Sequence, residues 1–260
     1  MRKQNGVLYN VTEADLELLE NNPNEFWEDV EEIGKEAFQE LSSLKIIKIP
    51  EGIKKIGEKA FKECKNLSVV GIPESVNSLG DWCFAKCYSL KYVNIPEKLD
   101  VLPKGTFYGC KELKKVVLPD NLKEIGDFAF YGCSNLHFLR MKNKIVKVGM
   151  YFCAKCDKLK LLELSNELAE LPEGGVRNCL NLKSFGIPTK TKFVDKTFAM
   201  GCKKLQHINM LIYCGVPYGE LDRSVVNQMK EGKLPSNLRK DNEGNIVFED
   251  HPKLILGRSV

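Results

Sequence analysis

Apolar residues return along this chain with a fixed step. Leu44, Leu67, Leu90, Leu113, Leu136, Leu159, Leu182 and Leu205 follow one another at intervals of 23 residues, with no insertion or deletion. Three residues after each comes a second apolar position, held by Ile47, Val70, Val93, Val116, Leu139, Leu162, Phe185 and Ile208, and two further on a third, from Ile49 to Met210. These last two alternate with variable positions, which is the period of a strand with one buried face. Pro50, Pro73, Pro96, Pro119 and Pro188 follow directly. Proline lacks an N–H and belongs where a strand stops pairing, so each strand is short.

The rest of the unit is equally regular. Ile33, Ile56, Leu79, Leu102, Ile125, Val148, Leu171 and Val194 keep the step, and Gly34, Gly57, Gly80, Gly126 and Gly149 follow five of them, which suggests a turn that a side chain would hinder. Phe38, Phe61, Phe84, Phe107 and Phe130 close the unit, and Cys64, Cys87, Cys110, Cys133, Cys156, Cys179 and Cys202 lie three residues before their leucines, where a small apolar group is expected. One such unit has too little apolar surface to fold alone, whereas a stack of eight makes a continuous core. An α+β repeat solenoid of eight 23-residue repeats therefore follows from the period.

The run C-x-x-L-x-x-V-x-I-P-x-x-V-x-x-I-G-x-x-A-F-x-x-C, seen from Cys64 to Cys87 with Trp82-Cys83-Phe84 near its end, resembles the BspA-like, Treponema-type leucine-rich repeat. The resemblance covers residues 30–210 and implies a right-handed superhelix with a parallel sheet on one face. It also implies a binding or adhesion role, because members are mostly surface or secreted proteins of bacteria and protists. Later copies depart from the pattern: Lys142 and Ser165 stand in place of the proline, Cys153 and Val176 in place of the phenylalanine, and Phe198 has slipped by one residue.

The ends lack the repeat. Residues 1–29 are expected to form a helical N-terminal cap, with Thr12 as N-cap, Glu13 and Asp15 in the first turn, and a second short helix holding Phe26 and Trp27. Residues 211–260 are expected to form a mixed C-terminal cap, with a helix over 220–231 ended by Gly232, a turn at Asp241-Asn242-Glu243-Gly244 and a strand at Ile246-Val247-Phe248. Solenoids need such caps because their core is open at both ends.

Charge and composition narrow the function. A net charge of +4 from 39 basic and 35 acidic residues excludes a polycation built to hold nucleic acid. The first residues have no apolar signal core and no stretch approaches the roughly 20 apolar residues of a membrane span. As it reads, the chain is expected in the cytoplasm, or at the cell surface or secreted if a signal preceded Met1. Cys153-Ala154-Lys155-Cys156 has redox or zinc spacing, but register places both thiols in core positions, and His137, His207 and His251 are scattered. Buried reduced thiols are expected, with disulfides between adjacent rungs or a metal site as the alternatives. No phosphate loop, nucleophile elbow or H-E-x-x-H is present, so no catalytic, cofactor or metal residue is assigned and an enzyme is not expected.

The strand positions that point outward carry the candidate site. Alternation directs Ile46, Val69, Tyr92, Lys115, Phe138, Leu161, Ser184 and His207 to one outward row, and Lys48, Gly71, Asn94, Val117, Arg140, Glu163, Gly186 and Asn209 to another. Val69, Tyr92, Lys115, Phe138, Arg140 and Leu161 are the candidate binding residues, because a contiguous exposed apolar patch with Tyr and Arg anchors marks an interaction site. Lys45, Lys91, Lys114, Lys160 and Lys183 are expected as a basic stripe along one rim. The expected partner is a protein or a glycan. The chain is expected to be a monomer, the alternative being a structural protein that buries the same row in a homo-oligomer.

Overall fold

The computed structural model describes residues 1–211, 217–220, 223–232, 238–240, 245–248 and 251–258. Each repeat is one coil. The chain runs along a short strand such as Val69–Gly71, turns at the proline, and makes a two-residue strand such as Ser78–Leu79. It then crosses a third side built of tight turns before entering the next coil at Tyr92–Asn94. Strands pair in parallel with the equivalent residue one repeat on: Ile46 with Val69, Val69 with Tyr92, and Tyr92 with Lys115. The 23-residue period is therefore the hydrogen-bond register of the first sheet. Pairing resumes from Phe138 through Leu161 and Ser184 to His207. Between Lys115–Val117 and Phe138–Arg140 the strands are neighbours without ladder pairing, so this side is two hydrogen-bonded sheets placed end to end.

The two-residue strands form a second parallel line, the second sheet, in three hydrogen-bonded ladders, with Ile33 beside Ile56 and Leu79, Leu102 beside Ile125 and Val148, and Leu171 beside Val194. Strands this short show no alternation, which is why the sequence pattern reveals only one sheet. The third side is bonded from coil to coil as well: the Phe38 N–H donates to the Ala60 carbonyl at 2.7 Å and the Phe61 N–H to the Cys83 carbonyl at 2.8 Å. The recurring glycines serve this close approach. A Cβ on Gly80 would stand 2.2 Å from the Glu58 nitrogen, so the small residue is required by the neighbouring coil and not by a left-handed turn.

Between the three sides, all eight ladder leucines are buried, and Phe38, Phe61, Phe84, Phe107 and Phe130 stack with centroids 4.8–5.8 Å apart. The departures in later copies are a compensated exchange. Phe152 precedes Cys153 and Phe198 precedes Ala199, so the bulk moves back by one residue, and both rings are fully buried. They converge over Gly175, where a Cβ would stand 2.3 Å from Cε2 of Phe198 and 3.0 Å from Cε1 of Phe152.

The N-terminal segment is not only helical, contrary to the expectation for residues 1–29. Arg2–Gln4 and Val7–Tyr9 form an antiparallel hairpin, and Leu8 pairs in parallel with Ile33, adding a ninth rung to the second sheet below the eight repeats. Its spacing of 25 residues from Ile33 hides it from a search at 23. The turn Glu13–Asp15 and the helices Leu16–Asn21 and Pro23–Trp27 follow, with the Thr12 N–H and hydroxyl donating to the Asp15 carboxylate at 2.8 and 2.7 Å. Phe26 and Trp27 each lie 6.1 Å from the Phe38 ring and cover the first coil.

At the other end a helix spans Arg223–Glu231, starting three residues later than expected, and Gly232 follows with φ 71°. Val226 and Met229 join the core. His207–Leu211 pairs antiparallel with Pro217–Glu220, and His251–Arg258 pairs with Phe193 of the second sheet and with Asn245–Phe248. The turn expected at Asp241–Gly244 lies outside the described residues.

Candidate functional site

The first sheet presents its outward row to solvent. Val69, Tyr92 and Leu161 are 45%, 56% and 48% exposed, and Phe138 sits at 36%. Their inward neighbours Val70, Val93, Leu139 and Leu162 are buried, as alternation requires. Val69, Tyr92 and Lys115 occupy successive paired strands, and Phe138 and Leu161 occupy two more. The unpaired junction falls between Lys115 and Phe138. At about 4.8 Å per strand the row from Val69 to Leu161 spans about 19 Å. Ile46 and Val117 extend the apolar surface at 65% and 52% exposure. Both stand in the outward rows of the sequence but outside the candidate set.

Arg140 is placed on this face but is not a free cation. Its guanidinium holds the Glu163 carboxylate through Nε and through Nη2, the latter at 3.0 Å, and this pairing raises its already high pKa. A partner would meet a neutral pair there. Beyond Leu161 the side chains shrink to Ser184 and Gly186, leaving a basin of about 350 Å³ walled by Leu161, Glu163, Asn143 and Asn209. Lys45, Lys91, Lys114, Lys160 and Lys183 are all exposed, forming the rim expected beside the leucine ladder.

The thiols occupy the interior. The nine described cysteines are free and buried. Seven share one geometry: the Cys64 thiol donates to the Phe38 carbonyl at 2.9 Å, Cys110 to Phe84 at 3.1 Å, and Cys202 to Val176 at 3.1 Å, each reaching 26 residues back. Each accepting carbonyl lies on the third side, one coil back. The position thus selects a donor as well as a small group, which a hydrophobic pattern cannot reveal. Cys153 and Cys156 stand 3.4 Å apart, sulfur to sulfur. Burial pushes the Cys64 thiol up to about 12 and the others in the same direction, so the thiols are held protonated. No group of three His, Cys, Asp or Glu side chains among the described residues could hold a metal ion. No helix among them is long and apolar enough to cross a membrane.

A second concentration of aromatic residues lies on the third side, where Trp82, Tyr108, Phe128, Tyr131 and Tyr151 are all half-buried. Strand alternation says nothing about these positions.

A family model described as BspA type leucine-rich repeat region matches the chain in six copies, over residues 23–125 and 100–213. Among solved structures, a leucine-rich repeat protein from Bacteroides ovatus is similar at 28% identity and a TM-score of 0.62, over 67% of this chain and 47% of that one. The T. pallidum leucine-rich repeat protein is similar at 27% identity and a TM-score of 0.61, over 67% of this chain and 82% of that one. This chain therefore spans about half the length of the Bacteroides protein. A comparison with curated proteins gives no match.

Proposed function

The chain belongs to the BspA type leucine-rich repeat family, and from that premise we propose that it is a non-catalytic binding module whose first-sheet face receives a protein or glycan partner. The observation that carries this reading is the exposed row Val69, Tyr92, Phe138 and Leu161, extended by Ile46 and Val117. Apolar side chains of this size on the solvent side of the sheet lie outside the buried core, and removing their exposed surface from water favours association. The mainly aliphatic character of the row favours a protein partner. The neutral Arg140–Glu163 pair and the Lys115 ammonium supply polar contacts that orient it.

The test pairs two measurements. Tyr92→Ala with Phe138→Ala is expected to weaken binding of a partner identified by cross-linking by about 2 kcal/mol or more, as truncating interface anchors does. It should leave thermal unfolding nearly unchanged, whereas Leu113→Ala, at a core rung, should destabilise by about 2–5 kcal/mol. Light scattering over a concentration series reads the self-associating alternative: a tight dimer lost in the double variant would replace the foreign partner with a second copy. A double variant that unfolds as readily as Leu113→Ala would sink the proposal.

A further inference from the structure

The third side carries a pattern that the core does not require. Gln39, Lys62, Ala85, Tyr108, Tyr131, Ala154 and Arg177 occupy one position in successive coils. Where this column narrows to alanine it leaves a notch. The first notch has a volume of about 450 Å³ and lies over Ala85, between Lys62 and Tyr108. The second, of about 250 Å³, lies over Ala154, between Tyr131 and Arg177.

The two notches are built alike. Trp82-Cys83-Phe84-Ala85-Lys86-Cys87 and Tyr151-Phe152-Cys153-Ala154-Lys155-Cys156 repeat one order of aromatic, two core residues, alanine, lysine and cysteine, three coils apart. In both, a glycine one coil further on makes room for the leading ring. A Cβ on Gly105 would stand 2.1 Å from Cε3 of Trp82, and one on Gly174 would stand 2.2 Å from Cε1 of Tyr151. In both, a tyrosine walls one side and a cation the other. Tyr108 and Tyr131 stack back to back between the notches, with centroids 5.0 Å apart and planes 2° from parallel. At about 4.8 Å per coil the notches are about 14 Å apart.

Charge identifies the occupant. Every charged residue lining either notch is basic: Lys59, Lys62 and Lys86 in the first, Lys155 and Arg177 in the second. In the first notch Glu36 and Glu58 hold Lys59 at 3.3 and 3.1 Å, and Glu63 holds Lys86 at 2.8 Å and Lys62 more loosely at 3.8 Å. These carboxylates offset part of the charge, but none of them lines the notch, so the surface an occupant meets is basic. The rings are largely committed to one another, since Tyr108 covers Tyr131 and Phe128 covers Tyr151 with centroids 5.4 Å apart. Tyr108 and Tyr131 turn one face to each other and keep the other for a notch, which offers the C–H face of a sugar ring a single aromatic wall, whereas a run of bases stacks on successive open aromatic faces. We propose that this side is a second binding surface, distinct from the first-sheet face, that takes a linear oligosaccharide bearing carboxylate or sulfate groups. Sugar rings would pack against the Tyr108 and Tyr131 walls while their anions meet Lys62 in one notch and Arg177 in the other.

The column itself supplies the test, because it already accepts tyrosine in two coils. Ala85→Tyr and Ala154→Tyr fill the notches with a side chain the fold accommodates. Oligogalacturonate and a heparin-derived oligosaccharide serve as probes, with neutral malto-oligosaccharide and oligo-dT of equal length for comparison. Calorimetry and tryptophan emission both read binding, since the second tryptophan, Trp27, is buried in the N-terminal segment. The expected result is binding of at least one acidic oligosaccharide with a change in Trp82 emission, weakened about tenfold or more by either filling substitution at unchanged thermal midpoint. Tyr92→Ala with Phe138→Ala should leave it intact, so that failure here and failure of the first-sheet proposal are distinguishable. Lack of binding to both acidic probes, equal binding in the filled variants, preference for the neutral sugar, or tighter binding of oligo-dT would each overturn the proposal.

Discussion

The cysteine ladder permits a test of why the position is not simply apolar. Cys110 is fully buried, and its thiol donates to the Phe84 carbonyl at 3.1 Å. That carbonyl has one other bond, a long one of 3.3 Å from the Cys87 N–H. Cys110→Ala removes the sulfur, worth about 1 kcal/mol of transfer free energy, and deletes a weak donor worth about 0.5–1 kcal/mol from a buried acceptor. The sum is close to 2 kcal/mol, or about 4–8 °C in thermal midpoint for a chain of this size. Cys110→Ser keeps the donor at a similar place, so its loss is expected to be about half as large. Thermal unfolding by circular dichroism or calorimetry measures both. If the serine variant melts below the alanine variant, the carbonyl gains nothing from the donor, and the position selects only for size and apolarity.

Alkylation of the native protein at pH 8 should label few of the nine described cysteines, because a thiol held near 12, as Cys64 is, presents about one thiolate in ten thousand; rapid labelling of five or more would show that the ladder is not interior. We propose that residues 1–29 act as a cap, so deleting them should strip Leu8, Phe26 and Trp27 from Ile33 and Phe38 and cause aggregation; a soluble, monomeric fragment with cooperative unfolding would refute this. Gly175→Ala should cost about 1–3 kcal/mol by overpacking against Phe152 and Phe198. Phe198→Leu should recover part of that loss in the same melt, and an unchanged midpoint would mean that the rings are not wedged over the glycine.

The first-sheet candidates were legible because a strand has a fixed parity. Once Val70, Val93 and Leu162 are assigned inward, Val69, Tyr92 and Leu161 must point out, and they do. What the parity could not convey is the state of Arg140, which depends on a carboxylate 23 residues away adopting the rotamer that meets it. The donor role of the cysteines was hidden for a related reason. A thiol in an apolar row looks like a small hydrophobe until the carbonyl one coil back is in place.

Sequence alone determined the solenoid and its register, because in a one-dimensional stack the neighbour of residue i is residue i+23, and each core row can be written down without coordinates. Tertiary structure decided what breaks that translation. Leu8 joins the second sheet from a spacing of 25, through a hairpin whose closure no period records. The first sheet divides between Lys115 and Phe138 although the sequence step is unchanged there. On the third side, Lys59, Trp82, Phe128 and Tyr151 take left-handed backbone angles, with φ from 53° to 59°. Such residues interrupt the alternation of side-chain directions, so which side chains reach solvent follows from turn geometry and coil-to-coil contacts. The notches over Ala85 and Ala154 therefore became visible only when the coils were stacked.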